Sequence, residues 1–345
     1  VRPRISEEAA MTPTSPPLRI WHDNGAAVLD QYGFGPHSRL EIFSISENAT
    51  YRVSDPDSGR VAVLRLSRPG ERSRAEILSE IAWIRALRTS GTARTPAVID
   101  TLAGAPIATF HDATGAAQFA TLFDFVPGRM LDETNAEAAF VDLGETAARL
   151  HGFNETWRRP PGFVRPHWDI ETAMGRQGRW GYWGDNATVG AAERDLLARV
   201  DAKIRAEIGA YGRPPARHGL IHGDMRMANF IVDPGGIQLI DFDDCGISWH
   251  LYELACALTF VEHAPETPAL VAAWLRGYTR LRPLDAADLA VLPAMVMLRR
   301  MLLVGWFHTH GHVTELHDLS QRYVPQTMEI GAAFLRGAYL AMRGA

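Results

Sequence analysis

Lysine is almost missing from this chain: of 35 basic residues in 345, only Lys203 is not an arginine. No run of Lys or Arg occurs and the formal charge at pH 7 is −5, so the basic face that would release counterions from nucleic acid is absent. Cysteine is nearly as scarce. Cys245 and Cys256 are the only two, without paired spacing, which excludes a disulfide framework and a Cys-rich zinc site and fits a reducing, cytoplasmic setting. Long uninterrupted apolar runs are lacking too. Residues 1–18 mix Arg, Glu, Ser, Thr and Pro without the apolar centre of a secretory signal; the segment to residue 20 reads as a flexible tail, with Met11 a candidate natural start. The most apolar stretch, Val291 to Phe307, is broken by Pro293 and by the Arg299–Arg300 pair, so it reads as a core helix that would cross a bilayer only at high cost. Neither nucleic acid nor membrane is an expected partner.

What is present is a chain with 46% hydrophobic residues, enough for two lobes with packed cores. Between Arg39 and Val126 short β-like runs dominate: LEIFSIS, TYRVSD, RVAVLRLS, PIATF and QFATLFDFV, with Pro56-Asp57-Ser58-Gly59 as a hairpin turn. One helix interrupts them from Ser73 to Arg88, where Ile77, Ile81, Ile84 and Leu87 form a stripe at helical spacing and Glu80 lies inside it. Beyond Val126 the pattern turns helical, over Ala136 to His151, Ala191 to Ile208, His250 to His263 and two long segments after Asp285. A small antiparallel sheet with one helix, followed by a larger helical region, is an α+β, two-lobed arrangement, divided here into 21–126 and 127–345, with a ligand expected at the junction.

The chemistry concentrates in Leu220 to Asp244, LIHGDMRMANFIVDPGGIQLIDFDD. Two β-like runs, Phe230 to Val232 and Ile237 to Ile240, flank the turn signal Asp233-Pro234-Gly235-Gly236. The expected hairpin carries Asn229 just before its first strand and Asp241 just after its second, hence at one open end, with Asp224 on the preceding loop. Oxygen donors of this kind suit Mg²⁺ bound together with substrate phosphates. Asp241 would chelate the metal, Asn229 would add a neutral donor, and Asp224 would orient or deprotonate an attacking hydroxyl. Either fragment alone would read more plainly as turn carboxylates; their joining by a hairpin favours function.

His222-Gly223-Asp224-x4-Asn229 followed by Ile240-Asp241-Phe242-Asp243 resembles the catalytic and metal motifs of the aminoglycoside phosphotransferase and choline kinase superfamily, similar in fold to protein kinases. VLRLSRPGERSRAEILSEIAWIRAL and LFDFVPGRML look closest to bacterial homoserine-kinase-like and stress-response-kinase-like phosphotransferases. The likeness runs from about Leu40 to Phe260. It implies transfer of the γ-phosphate of ATP or GTP, with Mg²⁺, to the hydroxyl of a small molecule such as an amino acid, amino alcohol or aminoglycoside. It also implies a strand cation that grips the nucleotide phosphates and pairs with a helix glutamate.

With Lys203 far downstream, Arg65 must be that cation and Glu80 its partner, the plainer alternative being an exposed ion pair. Val63, on the face of Arg65, would wall the base. The backbone of Asp124, Phe125 and Val126 would form the hinge that reads it. No G-x-G-x-x-G is present; the turn reads Ser46-Glu47-Asn48-Ala49-Thr50, where Asn48 would substitute for the glycine amides or simply close a hairpin. Arg226 would aim at the transferring phosphoryl group, or be a solvated loop arginine. Glu253 is expected to brace the catalytic loop, and Asp243 and Asp244 to face a substrate ammonium or decorate the loop. The aromatics between His167 and Asp185 suit acceptor stacking but more often pack a core; His308, His310 and His312 read as a helix end. A protein Ser/Thr kinase of the stress-response type and a nucleotide-binding pseudokinase are the competing readings, with a binuclear metallohydrolase more distant.

Overall fold

Period-two alternation gives the first sheet two different faces. Arg39–Ile45 (β1), Asn48–Ser54 (β2) and Val61–Ser67 (β3) form an antiparallel meander. Val98–Ile99 (β4), Ala108–His111 (β5) and Ala117–Asp124 (β6) complete a sheet ordered β1-β2-β3-β6-β4, with β5 also paired to β6. The computed structural model describes residues 16–45, 48–112, 115–131, 133–309 and 317–340. One sheet face, with Tyr51, Val53, Leu64, Leu66 and Leu122, is buried against Val28, Leu29, Tyr32 and Phe34. The other carries two cross-strand rows, Arg52, Val63 and Phe123, and Thr50, Arg65 and Thr121. The Pro56 to Gly59 turn forms as expected: Gly59 N–H donates to Asp55 O at 2.9 Å, and the Asp55 carboxylate accepts from Ser58 Oγ at 2.5 Å.

The tail expected through residue 20 is corrected from Pro16 onward, where a helix, Pro16–Val28 (α1), begins. Proline suits a first helical turn because its missing N–H needs no partner there, and Trp21 and Val28 tie the helix to the sheet. Residues 1–15 lie outside the described residues.

Arg74–Thr89 (α2) is the expected helix. Ser73 Oγ accepts the Glu76 N–H at 3.2 Å and the Glu76 carboxylate accepts the Ser73 N–H at 2.8 Å, a reciprocal cap that fixes its start. Ile77, Ile81, Ile84 and Leu87 are buried, and so is Glu80 among them.

After β6 the chain enters a second sheet, where Arg129–Met130 (β7) pairs with Phe230–Asp233 (β9), itself paired with Gly236–Leu239 (β10). His218–Ile221 (β8) pairs with Gly246–Trp249 (β11). Around these strands pack Ala136–Thr156 (α3), Ile170–Met174 (α4), Ala191–Tyr211 (α5), Tyr252–Ala257 (α6), Thr267–Tyr278 (α7), Ala286–Thr309 (α8) and His317–Leu335 (α9). A Cβ on Gly144 would lie 2.0 Å from Trp274 O, and one on Gly277 would lie 2.0 Å from Val141 O; α3 and α7 can cross this closely only with glycine at both positions.

Two helices run past their expected ends, α3 to Thr156 and α5 to Tyr211. The one expected from His250 to His263 is corrected to the six residues of α6. Beyond Ala257 the chain runs on in turns, with Thr259 N–H on Cys256 O at 3.1 Å; Phe260 takes φ 75°, outside helical geometry, and Glu262 accepts from Arg300 Nη1 at 2.7 Å. By length and composition α8 could span a bilayer, yet most of it is buried inside this fold, as expected for a core helix.

Candidate active site

The hairpin does what its turn signal implies. β9 and β10 pair from Phe230↔Leu239 to Gly236↔Asp233, and Ile240 N–H donates to Asn229 O at 2.9 Å, so Asn229 and Asp241 stand at one open end. Asn229 Nδ2 donates to the Asp224 carboxylate at 2.8 Å and to its backbone oxygen at 2.7 Å. Asn229 Oδ1 is buried without a hydrogen-bond partner, which is costly unless a cation or donor arrives. Asp241 adopts a left-handed backbone, φ 66° and ψ 63°. For a residue other than glycine that geometry costs about 1 kcal/mol or more, and strain of this kind gathers at functional sites.

Asp224 is buried in a cage of donors. Arg226 Nε donates to its two oxygens at 3.0 and 3.1 Å, and Arg299 Nη2 donates to Oδ1 at 2.8 Å. Burial works against its charge, but the two guanidiniums outweigh burial and hold the carboxyl below its usual range. It is therefore ionised at neutral pH. The loop under it is fixed from behind by Glu253, which accepts the His222 N–H and, at 3.3 Å, the Gly223 N–H; this is the bracing expected of it. Gly223 is needed here, since at φ 81° an added Cβ would lie 2.5 Å from Asp244 O.

Arg65 and Glu80 meet as expected, and not on an exposed face. Arg65 Nη1 and Nη2 each donate to a Glu80 oxygen at 2.8 Å, a bidentate pair in which Arg65 is 6% exposed and Glu80 is fully buried. Arg65 Nε is buried without a partner. Val63 lies in the neighbouring row of the same face, beside Phe123. Asp124 ends β6 opposite Ala62, and Phe125 and Val126 follow it half-buried, Phe125 lying 6.5 Å from the Phe43 ring.

Asn48 departs from expectation. It belongs to β2, paired with Ser67, rather than to a turn, because strand pairing reaches Ile45↔Ala49. It still shares the face of Arg65 and is buried, with Oδ1 unpartnered. Ser46 and Glu47 lie outside the described residues.

Asp243 is no loop decoration. Burial raises its carboxyl, but Arg72, Arg65 and Arg165 together hold it well below the usual carboxylate range. Arg72 Nη2 reaches Asp243 at 3.1 Å and Asp244 at 2.9 Å, so both are engaged from the β3–α2 connection. Arg165 donates to Cys245 O at 2.6 Å and to Glu76 O at 3.0 Å. With Trp83 of α2 edge-on to Phe242 at 5.4 Å, these contacts hold α2 and its sheet against the segment that follows Asp241. Two surface cavities of about 440 and 310 Å³, lined by residues such as Arg149 and Arg282 or Asp55 and Arg60, lie away from this constellation, which instead occupies the junction between the sheet and the hairpin.

The segment that carries the hairpin and the strand-to-helix ion pair lies within residues 40–287, which the model of one enzyme family matches. The chain belongs to the phosphotransferase enzyme family. The α+β, two-lobed architecture of this phosphotransferase is the protein-kinase-like fold. It is 34% identical to a microcompartment-associated aminopropanol kinase, with a TM-score of 0.86 over 92% of this chain and 99% of that one. It is 23% identical over 303 residues to amicoumacin kinase of Bacillus subtilis, 84% of this chain and 86% of that protein. The structure of amicoumacin kinase hAmiN in complex with AMP-PNP, Ca²⁺ and Ami shares its fold with a TM-score of 0.73, at 23% identity over 93% of this chain and 94% of that one.

The remaining expectations of the phosphotransferase divide. Lys203 pairs with Glu207 at 3.1 Å and lies 5.1 Å from the Phe334 ring, outside the site. Trp168, Trp180 and Trp183 are buried, the commoner use of tryptophan. Trp168 Nε1 nevertheless donates to Asp244 O at 2.7 Å, beside Gly223. His308 is exposed in the last turn of α8, and His310 and His312 lie outside the described residues. The residues missed from sequence are Arg72, Arg165 and Arg299. Only Arg299 had a visible signal, as one of two arginines in an apolar helix.

Buried imidazoles make the fold acid-sensitive. Burial pushes His222 and His250 down from 6.5 to about 4, and His151, stacked on His250 at 4.3 Å, well below 6.5. His222 is the tautomer with Nε2–H, because that nitrogen faces Ile240 O at 3.1 Å while Nδ1 accepts the Asp224 N–H at 3.3 Å. Between pH 6.5 and about 4 the unfolded chain binds more protons at these sites, so stability falls as pH falls. The slope is ~1.4 kcal/mol per pH unit for each histidine. Glu253 acts oppositely: burial pushes it up to about 8 from 4.5, so its contribution is complete below 4.5 and is lost as pH rises through about 8. Three against one leaves a net acid loss. The melting temperature is expected to peak near pH 6.5 and to fall toward pH 4.5; thermal unfolding across that range checks it, and a flat profile from 6.5 to 5 would contradict the neutral histidine packing.

Proposed function

We propose that this kinase transfers the γ-phosphate of ATP or GTP, with Mg²⁺, to a hydroxyl of a small molecule such as an amino acid, amino alcohol or aminoglycoside. The observation that carries this reading is the meeting of Asp224, Asn229 and Asp241 at one hairpin end, with Asn229 Oδ1 left unpartnered. The set fits a hard divalent cation: a carboxylate and a free amide oxygen, with no sulfur or imidazole among the proposed ligands. Asp241 and Asn229 would hold the metal, which when bound neutralises charge on the nucleotide phosphates. The likeness to an aminopropanol kinase favours an amino alcohol among the acceptors, and the AMP-PNP and Ca²⁺ of amicoumacin kinase hAmiN support a nucleotide with a divalent ion.

The chain's own residues then divide the work. Val63 and the hinge from Asp124 to Val126 receive the base, Arg65, oriented by Glu80, meets the phosphates, and Asn48 lies on the same sheet face. Asp224 orients the acceptor hydroxyl. Its depressed pKa suits orientation better than strong general-base action, and a loose phosphoryl transition state asks for little base. Arg226 turns toward the transferring group. Residues 21–126 act as the nucleotide lobe and 127–345 as the catalytic and acceptor lobe, in a cytoplasmic enzyme.

The direct test is a screen of amino alcohols, homoserine and aminoglycosides for nucleotide- and Mg²⁺-dependent phosphorylation; no turnover with any acceptor would favour a pseudokinase. Asp241→Ala is expected to weaken Mg²⁺-nucleotide binding by an order of magnitude or more, and Asn229→Ala by less, because the first removes a charged ligand. Calorimetry with a non-hydrolysable nucleotide checks this, and unchanged affinity in Asp241→Ala would overturn the metal assignment.

A further inference from the structure

We propose that Arg299 is a positioning residue for phosphoryl transfer, the fixed point that holds the Asp224 carboxylate while Arg226 leaves it. The inference rests on the reading of Asp224 given above. Arg299 lies on α8, beyond the residues 40–287 that the family model matches.

The Asp224 carboxylate receives four contacts: Arg226 Nε at both oxygens, Arg299 Nη2 at Oδ1 and Asn229 Nδ2 at Oδ2. A carboxylate offers about four lone-pair directions, so an acceptor hydroxyl can bond it only if a present donor yields. Asn229 is fully buried and also tied to the Asp224 backbone. Arg299 is tied more firmly still. It is 3% exposed, with Nη1 on Gly223 O at 3.3 Å and Nε on Thr259 Oγ1 at 3.2 Å, and the Trp180 ring is 5.3 Å from its guanidinium. Its three donors thus engage the catalytic loop twice and the end of α6 once.

Arg226 differs. It is two residues from Asp224, its side chain is 17% exposed, and its bonds to the carboxylate come from Nε. Arg226 is the donor that can swing to the phosphoryl group, and Arg299 is the one that keeps Oδ1 in place when it does. A buried guanidinium inside an apolar helix is costly, and the carboxylate of Asp224 offsets that cost here. Placing it on α8 couples the C-terminal helices and the aromatic segment around Trp180 to the reacting end of the site.

The test is a kinetic double-mutant cycle on the full chain with Mg²⁺-ATP and whichever acceptor the screen yields. Arg299→Lys keeps the charge, but its single nitrogen cannot span the three acceptors that the guanidinium reaches. It is expected to melt within a few degrees of wild type, to leave the nucleotide KM unchanged, and to lower kcat by about 10- to 100-fold, the scale of a slightly misplaced group. In an Asp224→Asn background the same change should lower the residual rate less than about twofold, because two residues acting through one group are not additive. An equal fold-loss in both backgrounds would mean a merely structural role, and a wild-type kcat in Arg299→Lys would overturn the inference outright. Thr259→Val, which removes the Nε anchor, should reproduce a smaller part of the kcat loss and serves if Arg299→Lys does not fold; an unchanged kcat there would count equally against it. An active Asp224→Asn enzyme would remove the parent reading together with this one, whereas a dead Asp224→Asn beside an intact Arg299→Lys would remove only this one.

Discussion

Asp224→Asn is expected to lower kcat by about 10²- to 10⁴-fold, the range carried by a positioned acid–base or orienting group, with nucleotide affinity close to wild type. Asparagine keeps the size and one acceptor oxygen of aspartate but not the charge that orients a hydroxyl toward a phosphate. Alanine is the poorer probe in this fold. Arg299 is 3% exposed and Asp224 is its bonded carboxylate, so both changes leave a buried guanidinium without its counter-charge, a loss of about 3–5 kcal/mol, and truncation to alanine removes its acceptor oxygen as well. A drop in activity for Asp224→Ala would then mix catalysis with stability. Steady-state kinetics alongside thermal melts for both variants separate the two, and near-wild-type kcat in Asp224→Asn would remove Asp224 from the mechanism.

The second large effect concerns the pair on the opposite side of the cleft. Arg65→Ala strands a fully buried Glu80, and Glu80→Ala strands an Arg65 that is 6% exposed. Each single change is expected to cost on the order of 3–5 kcal/mol of stability, and the double variant less than the sum. Nucleotide affinity should follow a related pattern. Arg65→Ala loses a charge-assisted phosphate contact of roughly 1.5–3 kcal/mol, Glu80→Ala loses part of that as the guanidinium drifts, and the double variant loses little more than Arg65→Ala alone. Arg65→Lys should restore charge without the fork and give intermediate activity. Denaturant unfolding and nucleotide titration on the four proteins provide the cycle; strictly additive losses would disprove the pair.

These two sites were readable in the sequence for different reasons. Asp224, Asn229 and Asp241 are close in the chain and joined by a turn of known chemistry, so local geometry alone brings them together. Arg65 was reached by elimination, since no lysine precedes Lys203, and the burial of Glu80 followed from its place in an isoleucine stripe. Arg299 was not reachable in this way. Its partner Asp224 is 75 residues upstream, and no period or turn encodes which buried carboxylate an arginine on α8 will meet. The Arg299–Arg300 pair was read only as a charge that spoils a membrane span, although buried arginines in an apolar helix must each have a counterion.

Arg72 and Asp243 failed for the same reason at greater range, 171 residues apart, and a loop aspartate next to another looks like surface until its partner is seen. Helix boundaries show the other limit. The helical pattern runs on past Ala257, but Phe260 has positive φ and Glu262 is bonded to Arg300, tertiary placements that a continuous helical pattern does not reveal.

A last consequence follows from the guanidinium on β3. The chain's one ε-amine, Lys203, sits on α5 against Glu207 and Phe334, so the junction between the sheet and the hairpin contains no lysine amine at all. Acylating and sulfonylating nucleotide analogues, which tag a kinase through the amine beside the phosphates, have no target here, and an inventory built on such reagents would pass this enzyme over. Nor can the Arg65 guanidinium lose its proton at any pH where the fold survives. An alkaline decline in activity must therefore originate in some other group.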